Sequence, residues 1–320
     1  MAAPKQTAQF ALDQANGLLR QMAFQVSRCI KSRDPETVHD LRVAIRRFTQ
    51  ALIVFKPCFP AKEVKKVRRR LGKIMALAGA VRNCDIGLKL LSKSRSAAAA
   101  ALRSRIQAQR KDAERELTRL LRSWVDRKWY SKWRGHLAEG VAGKTFFRNP
   151  IETTAQRMLP RMAKDFFRGG DQVAVPGVSP EKLHQFRIDS KRFRYTLELF
   201  IPLYGPTLQA WLDQIKAVQA VLGDFNDCET VRGMIANWGG HKAVDRQLKR
   251  RQRRKVEEFA QHWVEKLADP GDVRRWTEYL GHFAGRRRVP KKPPARVLAA
   301  ASGNTQESTI LTLAAGGSFR

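Results

Sequence analysis

Val38 through Phe59 aligns without gaps to Leu183 through Tyr204, an offset of 145 residues. Identical pairs are His39/His184, Arg42/Arg187, Arg47/Arg192, Phe48/Phe193, Leu52/Leu197, Phe55/Phe200 and Pro57/Pro202, while Arg46/Lys191 keeps its charge. A second block, Gly79 through Cys84, matches Gly223 through Cys228 at an offset of 144. A duplication this long predicts two homologous halves of about 140 residues each, one over about 1–145 and one over about 146–285.

Apolar residues recur at three- and four-residue steps nearly everywhere, with few alternating β-branched runs, so the expected fold class is all-α: two homologous helical bundles. Asp34 and Ser179 are each followed by Pro and then Glu, the pattern of an N-cap, a first-turn proline and an acid near the positive end of the helix dipole. Proline and glycine place breaks at 34–35, 56–60, 79–83, 140–150, 169–180, 202–206, 223–227 and 239–240. Ser96 to Glu116 predicts one long, exposed helix. From about Gly285 onward, Arg286–Arg288 and Pro290–Pro294 lead into an aperiodic Ala/Ser/Gly/Thr-rich end, so 286–320 is expected to be a basic, low-complexity, disordered tail.

Projected at 100° per residue, the first copy of the repeat places Leu41, Ile45, Phe48, Leu52 and Phe55 on one stripe, with His39, Arg42 and Arg46 opposite. In the second copy Phe186, Phe193, Leu197 and Phe200 form the apolar stripe, and His184, Arg187, Lys191, Arg194, Tyr195 and Glu198 line the other side, with Arg192 at its edge. A basic helix face ordinarily points to solvent. Here a row of cations with few acids is kept twice despite its self-repulsion, which argues for a bound anion. The whole chain points the same way, with 62 Lys+Arg against 29 Asp+Glu and a formal net charge of +33. An arginine fork holds two phosphate oxygens at once, a lysine adds a point charge and a histidine adds a donor, so the expected ligand is phosphate-rich. Further basic faces extend the expected site: Lys66, Arg69, Arg70 and Lys73 with Lys62, then Arg157, Arg161 and Lys164 with Arg168, and also Arg82 and Lys216. Another basic strip runs through Arg246, Lys249, Arg250, Arg253 and Arg254.

At these residues the sequence resembles the CHAD family, the conserved-histidine α-helical domain, whose recurring feature is a His-x-x-Arg-(Val/Ile)-x-x-(Arg/Lys)-Arg helix in each of two halves. His39 through Arg47 matches the first copy and His184 through Tyr195 the second. Val81 through Asp85 resembles the family's Arg-Asp-x-Asp segment, and Gln219 through Asp227 its Gln-x-x-Leu-Gly-x-x-Asn-Asp segment. Asn83 departs from the pattern, which favours Asp there. An amide orients a basic neighbour without neutralising it, so a first-half ion pair centred on that position is not expected. The resemblance covers roughly residues 10–285 and identifies a stand-alone member without the Glu-x-Glu-x-Lys triphosphatase domain. It implies two bundles related by a pseudo-twofold axis around a basic central cleft that binds inorganic polyphosphate. The residues expected to line it are His39, Arg42, Arg46, Arg47, His184, Arg187, Lys191, Arg192, Arg194 and Tyr195.

Two other function classes fit less well. Non-specific nucleic-acid binding needs only clustered Lys and Arg, but the aromatic residues sit in apolar stripes and do not alternate with basic ones as stacking platforms would. An enzyme acting on polyphosphate through His39 or His184 would need metal-holding carboxylates or a phosphate-cradling glycine loop, and no such motif stands near them. Asp40, Asp85, Asp227 and Glu229 are better read as caps or arginine partners. No cofactor is expected, and no metal site either, since two histidines among arginines repel a cation. Cys29, Cys58, Cys84 and Cys228 lack ligand spacing and read as reduced, structural thiols. No run reaches the roughly 20 apolar residues of a membrane span, and residues 1–10 lack a signal-peptide core. The expected setting is therefore cytoplasmic, with polyphosphate granules as one place of work.

Overall fold

The computed structural model describes residues 6–32, 34–94, 96–142, 150–238 and 240–282. The expected tail over 286–320 and the expected start of the second half near 146 lie outside the described residues, as does most of the expected break at 140–150, of which 140–142 still belong to a helix. Among the described residues ten α-helices follow one another: α1 (Thr7–Lys31), α2 (Pro35–Val54), α3 (Ala61–Leu91), α4 (Ala97–Asp126), α5 (Trp129–Ala142), α6 (Ile151–Val173), α7 (Pro180–Tyr204), α8 (Pro206–Ala236), α9 (Lys242–Lys266) and α10 (Pro270–His282), with a short 3-10 turn at Lys56–Cys58. Among the described residues there is no strand, only an isolated bridge between Gln6 and Pro150.

The two repeated helices start as their sequence dictates. The Asp34 side chain accepts from the Glu36 amide and the Ser179 side chain from the Lys182 amide, each just ahead of a first-turn proline. Ser96 caps α4 in the same way, and α4 then continues to Asp126, ten residues past the expected stretch, because Leu117, Leu121 and Trp124 bury its second half. Four of the expected breaks do not interrupt the chain as expected. Gly79–Asn83 lies inside α3 and Gly223–Asp227 inside α8, while α6 runs through Gly169 and Gly170 and α7 through Pro202 to a stop at Gly205, where φ is +73°. Interior glycine costs a helix only about 1 kcal/mol, which tertiary packing repays where close approach is needed. Gly170 is such a place, since a β-carbon there would overlap the Trp263 ring.

The packing of the first five helices recurs in the second five. The neighbours α1–α2, α2–α3, α3–α4 and α1–α5 have counterparts in α6–α7, α7–α8, α8–α9 and α6–α10. The duplicated aromatic residues divide between two tasks. Phe48 stacks on Trp133 of α5 and Phe193 packs on Trp276 of α10, each pinning its own bundle. Phe55 and Phe200, by contrast, meet each other at 5.9 Å and enclose Phe10, so the repeat pair joins the halves. The buried Gln50 amide donates to Thr196 Oγ1 at 2.9 Å across the same seam. One apolar core runs through both halves, and a smaller one holds Cys84 and Cys228 between α3, α4, α8 and α9. All four cysteines are buried thiols. Because α2 packs on α7 and α3 on α8, these four helices wall a central cleft.

Candidate functional site

The cleft has a volume of about 1660 Å3. Among its described lining residues stand twelve Lys and Arg against two Asp, Asp224 and Asp227. The repeat supplies its centre. Arg42 and Arg46 come from α2, and their counterparts Arg187 and Lys191 come from α7. These four side chains form no ion pair with any described residue, and the buried Arg187 Nε has no hydrogen-bond partner. Gly79 explains part of the geometry: its missing β-carbon leaves room for the Arg42 guanidinium, whose Nη1 would lie only 2.8 Å from that atom. The interior glycine that reads as a break is therefore part of the site.

Burial and like charge push Lys191, Arg42 and Arg187 in one direction. Lys191 is driven down to about 6 by desolvation and then by Arg187, Arg46, Arg194 and Arg42. Arg42 falls to about 10, again from desolvation first and then Arg46, Arg82 and Arg187. The Arg187 pKa is also lowered, by burial against the partial compensation of Asp227. His39 is lowered by burial and by Arg82. Such a cluster is costly when empty, and an anion with several oxygens would offset the cost.

The two halves differ in their detail. In the second, Asn226 Oδ1 lies 2.8 Å from His184 Nδ1 and fixes the ring, and Asp227 faces Arg187. In the first, the repeat counterparts of Asn226 and Asp227 are Arg82 and Asn83. The amide at 83 brings no charge to Arg42, and Arg82 adds a cation beside His39, pairing outward with Glu36 at 3.3 Å. The first half is the more positive one.

Nine of the ten core residues expected from sequence line the cleft: His39, Arg42, Arg46, His184, Arg187, Lys191, Arg192, Arg194 and Tyr195. Arg47 does not. Its Nε donates to Glu198 Oε2 at 2.7 Å, and it borders a separate shallow groove beside Phe24. Glu198 also receives Arg194 at 2.6 Å, so it ties an α2 arginine to an α7 arginine, while the Arg194 Nε bonds Gln219 and the guanidinium covers the Tyr195 ring at 4.5 Å. Arg194 is thus largely neutralised, and the exposed Arg192 pairs with Asp189 at 3.0 Å.

The additional basic faces divide. Arg69, Arg82 and Lys216 line the cleft, Lys216 while paired with Asp213. Lys66, Arg70 and Lys73 fall on the neighbouring stripe of α3, where Lys66 pairs with Glu63 and the Arg70 guanidinium covers Trp129 at 3.8 Å. Arg157, Arg161 and Lys164 are exposed on α6, outside the cleft. Three cleft-rim cations are not among the expected residues, Lys56, Lys65 and Arg68, none of which forms an ion pair with a described residue; Gln219 and Asn226, legible in the sequence only as part of a family-like segment, line the cleft too. The stripe 65, 68, 69, 72 turns inward because Trp129 of α5 claims the stripe of Arg70.

The acids keep arginine company: Asp40 pairs with Arg28, Asp85 with Arg110, and Glu229 with Arg232. Among the described residues no three His, Cys, Asp or Glu side chains gather as a metal-binding group, and no helix is long and apolar enough to cross a membrane. Tyr195 is the one aromatic residue among the described lining residues.

A family model described as the CHAD domain matches residues 13–236. Among solved structures, the crystal structure of the CHAD domain from the plant Ricinus communis is similar at a TM-score of 0.65 and 19% identity, covering 87% of this chain and 93% of that one. PptA from Streptomyces chartreusis is similar at 0.58 and 13% identity, covering 81% of this chain and 100% of that one. No curated protein sequence matches the chain.

Proposed function

The chain belongs to the CHAD family, one with polyphosphate-related roles, and on that footing we propose that it binds inorganic polyphosphate in the central cleft without cleaving or extending it. The observation that carries the reading is the set of four half-buried cations, Arg42, Arg46, Arg187 and Lys191, that two helices bring to one place with no ion-pair partner among the described residues. A self-repelling cluster of this kind is offset by a ligand with many closely spaced anionic oxygens. Polyphosphate is such a ligand: each unit carries charge, and a flexible chain can follow the row of cations along the cleft.

The histidines serve as donors here. Asn226 holds the His184 ring, and burial beside Arg82 keeps His39 from gaining a proton easily in the empty cleft. Among the described residues neither ring hydrogen-bonds a carboxylate that would orient it for nucleophilic attack, which supports binding without turnover. The pseudo-twofold relation of the halves belongs to the same reading, since it lets one chain be gripped from both sides by matched residues. The protein would then work in the cytoplasm where polyphosphate accumulates, in granules. RNA and DNA would be held more weakly, through charge alone.

Titrations against polyphosphates of increasing length test this. Affinity should rise with chain length until the cleft is filled and then level off. If four phosphates are neutralised, log Kd should change with log salt at a slope of about 3, from roughly 0.7 per contact. A length-independent affinity with a slope near zero would remove the reading.

A further inference from the structure

The cleft has two unlike ends. On the second-half side, Arg194 and Gln219 line the wall, with Arg194 donating to both Gln219 and Glu198, and Lys216 is neutralised by Asp213. The repeat counterparts of Arg194, Glu198, Gln219 and Lys216 are Thr49, Ile53, Met75 and Gly72. At the first-half end a polar plug is thus replaced by an apolar floor with space above it. Ile53 is 41% exposed, among the few large apolar side chains left open to solvent, and a β-carbon on Gly72 would meet nothing within 4 Å. Lys56, Lys65, Arg68 and Arg69 rim this floor, and none of them forms an ion pair with a described residue.

A bare phosphate chain gains from the rim but has no use for the floor. A ligand matched to both carries its phosphates toward the central cations and a flat, partly apolar group at its end. Guanidinium groups stack on planar aromatic faces, and two stand at the edge of this floor. Resting on the polyphosphate reading, we infer that the first-half end is a subsite for an organic group of the nucleoside class carried on the terminus of a phosphate chain. The cleft would then hold nucleoside polyphosphates, or chains capped by a nucleoside, in one direction, base toward Ile53 and phosphates toward Lys191.

Calorimetric titration with inorganic tetraphosphate and with adenosine 5′-tetraphosphate tests it. The nucleotide should bind about tenfold more tightly, the factor supplied by covering a few tens of Å2 of apolar surface. Gly72→Leu, which fills the space over the floor, should abolish that preference and leave inorganic tetraphosphate binding unchanged. In the unaltered protein, nuclear Overhauser contacts should join base protons to the Ile53 and Met75 methyl groups. Equal affinity for the two ligands, or a preference that survives in Gly72→Leu without base contacts to those methyls, would overturn the inference while the binding of inorganic tetraphosphate still stands. Failure of both ligands to bind would instead defeat the polyphosphate reading beneath it.

Discussion

Replacing Arg42 and Arg187 together with alanine is expected to weaken polyphosphate binding at least about 100-fold, because two charge-assisted contacts worth about 1.5–3 kcal/mol each are lost. The same double variant should not lose stability in the absence of ligand. Neither arginine has an ion-pair partner among the described residues, both are substantially buried, and each raises the cost of charging Lys191. Removing them relieves that repulsion, so the ligand-free melting temperature should rise or hold while the stabilisation by added polyphosphate disappears. This opposition between function and stability is what a site strained for an absent anion predicts. Arg157→Ala with Arg161→Ala removes the same charge from the exposed face of α6 and should change affinity by less than about threefold. Comparable losses in both double variants would mean that total charge, not the cleft, governs binding.

The second large effect is on pH. In the empty cleft Lys191 sits at about 6, pushed down by desolvation and by Arg187 and Arg194 on its own helix and Arg46 and Arg42 from α2; Asp227 of α8 acts on it in the opposite sense. A bound phosphate chain lifts it, since the charged form now has anionic partners. Between the free value and the higher bound value, binding takes up a proton, so affinity falls as pH rises, by up to about tenfold per unit for one proton. His39, lowered by burial and Arg82, adds to the same trend at the acid end. Long chains, whose internal phosphates stay ionised throughout, should therefore bind more tightly at pH 6 than at pH 8. Calorimetry in buffers of different ionisation enthalpy should count close to one proton taken up at pH 7.5. Lys191→Met should flatten the profile. It should also stabilise the free protein: a lysine whose folded pKa is depressed costs stability below its unfolded pKa, increasingly so as pH falls toward 6, and methionine carries no such penalty. A flat profile for the unaltered protein would contradict the site's electrostatics.

The sequence made some of this visible and hid the rest for physical reasons. Phe48 and Phe193 are legible as core from periodicity alone, as are the caps at Asp34 and Ser179, because these are local patterns. The pairing of Arg47 with Glu198 spans 151 residues, and nothing local announces it. On α3, a rotation of one position separates Lys66, Arg70 and Lys73 from Lys65, Arg68 and Arg69, and only the docking of Trp129 decides which stripe faces the cleft. Gly79 looks like a helix break because glycine usually ends helices, yet here it seats Arg42. The substitution at Asn83 is plain in the sequence, but its consequence depends on Arg82 standing beside His39, which the fold supplies.

The most direct test of a shaped, non-catalytic polyphosphate receptor is competition at elevated salt. Labelled long-chain polyphosphate is held on the purified protein and challenged with RNA, DNA, heparin and short phosphates at matched charge, while released phosphate is followed. Polyphosphate should stay bound against the other polyanions, with its length unchanged and no phosphate released. Ready displacement by RNA would reduce the cleft to a generic basic surface, and the appearance of phosphate would make the protein an enzyme acting at His39 and His184.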